Sequence, residues 1–290
     1  MPYKMDESIY REPVRILEDL AKEAFKRGDY EDAARLFRHL SVHFGVSGDK
    51  FNQRRFAAKA GECYMRVAER LDDSIKAIAI YLKALRSFIE GGENDTANLC
   101  SSKIWERFIS IRDCETELSG ESINVFRAVG DYFADNGDLE KANIIYRDAA
   151  EKAFKSGRLL LAGRLYRSAG DCSLKSGNLE EAASSYTKAA DAFSLCQEYF
   201  EAAWSYCEAG FILICLGRFK EASDVSEMAE ELCLKDQVEF FLKDLSHICK
   251  LLSQGLIDEA RKIWNKIKVK VREEYAQLIE SSFQSAGMRG

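Results

Sequence analysis

His39, His43 and His247 are the three imidazoles in 290 residues, so general acid–base chemistry through histidine has few candidates. His39 and His43 stand four apart, a spacing that places two metal ligands on one face of a helix. No cysteine or carboxylate of that segment obviously completes a site, so no metal and no other cofactor is expected. Carboxylates are abundant, but Glu140, Glu180, Glu181 and Glu221 fall at first-turn positions, where the helix dipole favours negative charge. A GxxxxGK[ST] loop, a GxGxxG loop after a strand, and the HExxH, GxSxG and kinase signatures are all missing from the sequence. The chain is therefore expected not to be an enzyme.

Two basic arrangements point to binding instead. Arg127, Arg147 and Arg167 are spaced by twenty residues. If successive helices face opposite sides, Arg127 and Arg167 share one face and Arg147 lies on the other, a row that could receive an acidic partner. The competing reading pairs them with nearby Asp131, Asp148 and Asp171. The second arrangement is RKIWNKIKVKVR, whose six basic residues are Arg261, Lys262, Lys266, Lys268, Lys270 and Arg272, with no acid among them. Ile263, Trp264, Ile267 and Val271 mark a buried face, so the stretch reads as one amphipathic helix with a cationic exterior. An acidic protein or an anionic membrane surface would suit it, and a solvated terminal face is the competing reading.

The rest of the composition narrows the partners. With 42 basic against 48 acidic residues the net charge is −6, which disfavours nucleic acid as the main partner. The longest nearly apolar run, AGFILICLG, is nine residues, well short of the roughly 20 that span a bilayer. MPYKMDESIYREPVR has no apolar signal region, so a cytoplasmic protein, at most peripheral to membranes, is expected. The nine cysteines are odd in number and include no CxxC pair, which fits thiols used as small hydrophobes in a reducing compartment.

The elements that position these residues follow from a repeat. Gly137, Gly157, Gly177, Gln197 and Gly217 each open a similar segment twenty residues after the last. Leu139, Leu159, Leu179, Tyr199 and Phe219 share one slot, Ala142 to Ala222 a second, and Tyr146, Tyr166, Tyr186 and Tyr206 a third. Steps of three and four between slots describe a helical face, and glycine in a left-handed conformation closes each preceding helix. The tyrosines are expected to fill wider gaps and turn their hydroxyls outward. Gly130, Gly170 and Gly210 alternate with Ala150 and Ala190, which makes the true repeat a helix pair and predicts a contact too close for a methyl group at each glycine.

Gly28, Asp72, Gly92 and Gly255 restart the pattern elsewhere, while residues 113 to 122 break its phase and read as a longer surface connection. The two prolines, Pro2 and Pro13, leave the following 277 residues free of helix breakers. The whole predicts an all-α, right-handed α-solenoid of about thirteen antiparallel helices in helix pairs of about 40 residues. A single domain over 1–290 is expected, with 236–290 as a C-terminal helical cap.

Repeats this long exceed the tetratricopeptide standard. AAKAGECYMRVAERLDDSIKAIAIYLKAL through ANLCSSKIWERFISI, at 57 to 112, resembles the helices of the soluble NSF-attachment protein (SNAP) family, a tetratricopeptide-related group. AKEAFKRGDYEDAARLF, at 21 to 37, is similar to that family's amino-terminal hairpin. The resemblance implies an adaptor of membrane-trafficking machinery, with coiled-coil SNARE-like proteins and a AAA-type ATPase as partners. It transfers no binding residue: no Phe/Gly-rich loop stands in MPYKMDESIYREPVR, and QSAGMRG replaces an acidic, leucine-bearing end. A general tetratricopeptide-like interaction module unrelated to membrane traffic is the alternative. The binding candidates are thus Arg127, Arg147 and Arg167 with the 261–272 cations, and the oligomeric state is open.

Overall fold

Apolar residues three and four apart, with no proline after Pro13, leave the backbone one economical way to satisfy its hydrogen bonds. The computed structural model describes residues 7–112, 119–235 and 240–288, and all regular structure among them is helical. The chain divides into two compact units, Met1–Glu115 and Thr116–Gly290.

The first unit contains α1 (Glu7–Arg27), α2 (Tyr30–Val46), α3 (Lys50–Glu69), α4 (Ser74–Gly91) and α5 (Asn94–Arg112), each packed on the next. Its slots fill as their spacing predicts: Ala33, Phe37 and Leu40 on α2 meet Phe56, Ala60 and Cys63 on α3 in one buried cluster. Asp73 caps α4 by accepting from the Ile75 and Lys76 amides. Behind the cluster, Glu90 pairs with Arg38 and accepts from Gln53 at 3.1 Å and Ser41 at 3.3 Å, which holds α4 to α2 and α3.

The second unit begins with α6 (Gly120–Asp135), α7 (Leu139–Lys155), α8 (Leu159–Lys175), α9 (Leu179–Leu195), α10 (Tyr199–Cys215) and α11 (Phe219–Lys235), stacked in sequence. The twenty-residue period resolves into helices of 17 residues and short turns. Gly137 takes φ 81°, the left-handed conformation that closes α6, and Gln197 takes φ 65° in the equivalent turn without being glycine. The close contacts predicted at Gly130 and Gly170 are present: a Cβ there would stand 2.6 Å from the Tyr146 ring and 3.0 Å from the Tyr186 ring.

Three of the four tyrosine hydroxyls do not turn outward. Those of Tyr146, Tyr186 and Tyr206 donate to Asp131, Asp171 and Asp191 on the preceding helix, at 2.6, 2.6 and 2.5 Å. A buried ring whose polar tip reaches an acid one helix back ties each layer to its neighbour more firmly than a solvated hydroxyl would.

The unit closes with α12 (Phe240–Ser253), α13 (Ile257–Ile267), a 3₁₀ turn (Lys268–Lys270) and α14 (Glu273–Gly287). α12 packs on α11 and α10, and α14 returns to lie on α10. With neighbours on several sides, α10 is buried almost continuously from Ala202 to Ile214. Fourteen α-helices are therefore present among the described residues, in keeping with the expectation of about thirteen. The stretch 261–272, read as a single helix, is instead broken: α13 ends at Ile267, Val271 is extended and Arg272 stands at the N-cap position of α14. From Lys266 the sequence alternates cations with β-branched residues at every second position, a pattern that opposes helix continuation. Of the phase break expected at 113–122, residues 113–118 lie outside the described residues, while Ser119 already caps α6 and 120–122 are helical.

Candidate functional site

On α8, Arg167, Asp171 and Lys175 follow each other at four-residue steps and so occupy one stripe of the helix. On α10, Phe200, Glu201 and Trp204 share a face by the same spacing. Phe241 of α12 and Tyr275 and Leu278 of α14 stand opposite, and together these residues border a cleft of about 890 Å³. Lys270 and Arg272, from the connection into α14, complete its rim.

Trp204 anchors the aromatic wall. Its ring lies 5.1 Å from Tyr275 in an edge-on arrangement, and is stacked with Phe241 at 6.2 Å and Phe200 at 6.4 Å. Behind the wall sits Glu208, a carboxyl only 2% exposed. Its Oε1 accepts from Trp204 Nε1 at 2.8 Å and from the Tyr275 hydroxyl, and Arg167 Nη2 lies 3.6 Å away. Its Oε2 makes no hydrogen bond. Burial pushes this acid up to about 8, against the pull of Arg167 and with a further push from the neighbouring Asp171. Burial also raises Asp171, offset by the Tyr186 hydroxyl, Arg167 and Lys175.

Glu208 is sealed behind Trp204 and Tyr275, and the carboxylate Asp171 accepts from Tyr186. No serine, cysteine or lysine nucleophile is paired with a base in the cleft lining.

The sequence-named cations separate into three groups. Arg147 pairs with Glu181, and Arg167 pairs with Glu201 at 2.5 Å, so both are spent on ties between helices two apart. Neither forms an ion pair with the aspartates proposed for it, although Arg167 acts on Asp171 electrostatically; Asp131 and Asp171 take tyrosine hydroxyls. Both pairs link residues 34 apart, and the same step from Arg127 reaches Leu161, which leaves Arg127 exposed. Arg261 pairs with Glu280 at 2.6 Å and lies 3.7 Å over the Phe283 ring, which fixes α14 against α13. Lys262, Lys266 and Lys268 form an exposed cationic edge on α13 and the turn, and none of them makes an ion pair with a described carboxylate. Arg167, Lys270 and Arg272 are brought together at the cleft. His39 and His43 are both exposed on α2.

Sequence reasoning missed Glu208 and its partners. One signal was present: Glu208 is the sole charged residue between Glu201 and Arg218, inside an otherwise apolar run. Its contact with Tyr275, 67 residues on, has no sequence signature.

The stack and cleft fall within a family. The sequence profile of the soluble NSF attachment protein, SNAP, matches residues 129–277, from within α6 to within α14 and more than half of the chain. The chain belongs to the SNAP family. No curated protein sequence matches it. Among solved structures, BtubC (BKLC) from P. vanneervenii aligns at 14% identity over 78% of this chain and 89% of its own, with a TM-score of 0.43. Aspartyl phosphate phosphatase F from Bacillus subtilis aligns at 17% identity over 93% and 72%, with a TM-score of 0.44. A Rap protein complexed with competence and sporulation factor aligns at 12% identity over 96% and 97%, with a TM-score of 0.34. As a SNAP-family chain, this protein is a helical-repeat scaffold for protein interaction. No described helix is long and apolar enough to cross a membrane.

Proposed function

We propose that this SNAP-family chain is a non-enzymatic adaptor that holds an acidic, helical partner of the coiled-coil SNARE type and presents it to a AAA-type ATPase. The observation that carries this reading is the family match over 129–277, which contains the exposed cations Lys262, Lys266 and Lys268. These point charges suit a negatively charged helix surface, and binding of that kind falls as salt rises. Arg147 and Arg167, held by Glu181 and Glu201, contribute to folding of the stack rather than to the partner surface. Arg127 remains a candidate contact because no acid occupies its partner slot.

Capture of a preassembled SNARE coiled coil by the full chain tests the reading. The expected result is retention that weakens with salt and is lost in a Lys262→Glu, Lys266→Glu, Lys268→Glu variant. Retention indifferent to this reversal contradicts the placement on that edge. Failure to retain either the coiled coil or the ATPase at low salt contradicts the trafficking role. The second reading, an interaction module unrelated to membrane traffic, is favoured by the preformed cleft beside Trp204.

A further inference from the structure

The cleft has more cationic charge than it uses. Among its lining residues, Arg167 is held by Glu201, and Asp171 accepts from Tyr186. Lys175, Lys270 and Arg272 make no ion pair with a described carboxylate, against two carboxyls likewise outside any ion pair, Glu274 and Asp171, whose hydrogen-bond partner Tyr186 is neutral, so the lining keeps an excess of one cation. An anionic ligand is therefore favoured. The same cleft carries the ring wall of Trp204, Phe241 and Tyr275, and Phe200 beside it is 42% exposed.

The dimensions suit a chain better than a small molecule. The Arg167–Asp171–Lys175 stripe covers eight helical steps, roughly 12 Å, about the length of four extended residues. The wall is also set before anything binds: Glu208 fixes both the Trp204 indole and the Tyr275 phenol from behind, so little side-chain freedom is lost on binding.

We propose that this cleft binds a short extended peptide carrying acidic side chains on either side of one aromatic or bulky apolar residue, whose ring or branch packs against Trp204 and Phe200. The proposal rests on the scaffold reading above but places a second, separate contact away from the α13 edge. Acidic side chains of the peptide meet Lys175 on α8 and Lys270 and Arg272 on the connection into α14.

The test uses fluorescence anisotropy with the full chain and a labelled, acetylated peptide in which one phenylalanine is flanked by glutamates. Saturable binding is expected. It should weaken about tenfold or more when the glutamates become lysines, when the phenylalanine becomes alanine, and in the chain variants Lys175→Glu and Phe200→Ala. Both variant positions are at the surface, and an unchanged melting temperature confirms that each folds. Failure of the peptide to bind, or equal binding by the variants, overturns the proposal. Displacement of the peptide by an equal concentration of decanoate, an anionic chain without peptide groups, would overturn the choice of a peptide. Lys175→Glu and Phe200→Ala should still capture the SNARE coiled coil. Loss of that capture in both variants would overturn the separation of the two contacts, whereas peptide binding without SNARE capture by the unaltered chain removes the trafficking reading alone.

Discussion

The Tyr275 hydroxyl on α14 donates to Oε1 of Glu208 on α10, a carboxyl 2% exposed whose other oxygen makes no hydrogen bond. This contact pins the last helix to the most buried one. It makes the closing of the second unit depend on a titratable group, with Arg167, Asp171, Glu201, Trp204 and Tyr275 as the surrounding polar and charged side chains.

Stability should therefore vary with pH. Glu208 is raised from 4.5 to about 8, so between those values the folded chain keeps a proton that the unfolded chain releases. Stability from this group is full below pH 4.5, falls as pH rises through the window, and levels off above about 8. Asp171, also raised, adds the same sign at the acid end. Glu208→Gln should flatten the decline and unfold at higher urea than the unaltered chain above pH 8. A decline unchanged in that variant would contradict the assignment.

Removing the side chain has the opposite consequence. Glu208→Ala leaves the Tyr275 hydroxyl without its acceptor and the Trp204 N–H with only the Tyr275 oxygen at 3.5 Å, at a cost of about 2–3 kcal/mol. Hydrogen exchange should show the loss first in α14, as faster exchange there than in α7 or α8. Uniform protection across the unit would contradict the pinning role.

Glycine inside α6 and α8 is a packing requirement. Gly130→Ala places a methyl 2.6 Å from Tyr146, which must shift and strain its bond to Asp131, costing about 1–3 kcal/mol. Gly170→Ala, against Tyr186 at 3.0 Å, should cost less. Urea midpoints check both, and equal, negligible shifts would contradict the contact.

Gln197 runs the other way. With φ at 65° it occupies a conformation that favours glycine, so Gln197→Gly should stabilise the chain by up to about 1 kcal/mol. A lower melting temperature in that variant would contradict the strain assigned to this turn.

The helical stack was legible because it repeats. Leucine, alanine and tyrosine slots every twenty residues reveal helix length, and Gly130 and Gly170 reveal close packing, without any knowledge of neighbours. What repetition hides is partnership across helices. Three tyrosine hydroxyls, of Tyr146, Tyr186 and Tyr206, find aspartates 15 residues back, and Arg147 and Arg167 find glutamates 34 residues on, distances set by the geometry of the stack. Arg127 carries the same letter at the same phase, yet its slot holds Leu161. The cleft was less legible still, since Trp204, Phe241 and Tyr275 come from three helices that share no period. The helix break after Ile267 followed from charge repetition and β-branching that the apolar slots alone conceal.

An Arg167→Glu variant illustrates why the partnership matters. It would place a new carboxylate beside Glu201, Glu208 and Asp171, so it should lower the melting temperature before it affects any partner. Loss of binding in this variant without loss of stability would return Arg167 to the partner surface.

The central claim, that this SNAP-family chain is an adaptor for an acidic helical partner, is tested most directly by measuring capture of a preassembled SNARE coiled coil at rising salt. The unaltered chain should retain it with affinity that falls steadily as salt increases, and the Lys262→Glu, Lys266→Glu, Lys268→Glu variant should not retain it. Salt-independent capture, or equal capture by the reversed variant, would contradict the claim.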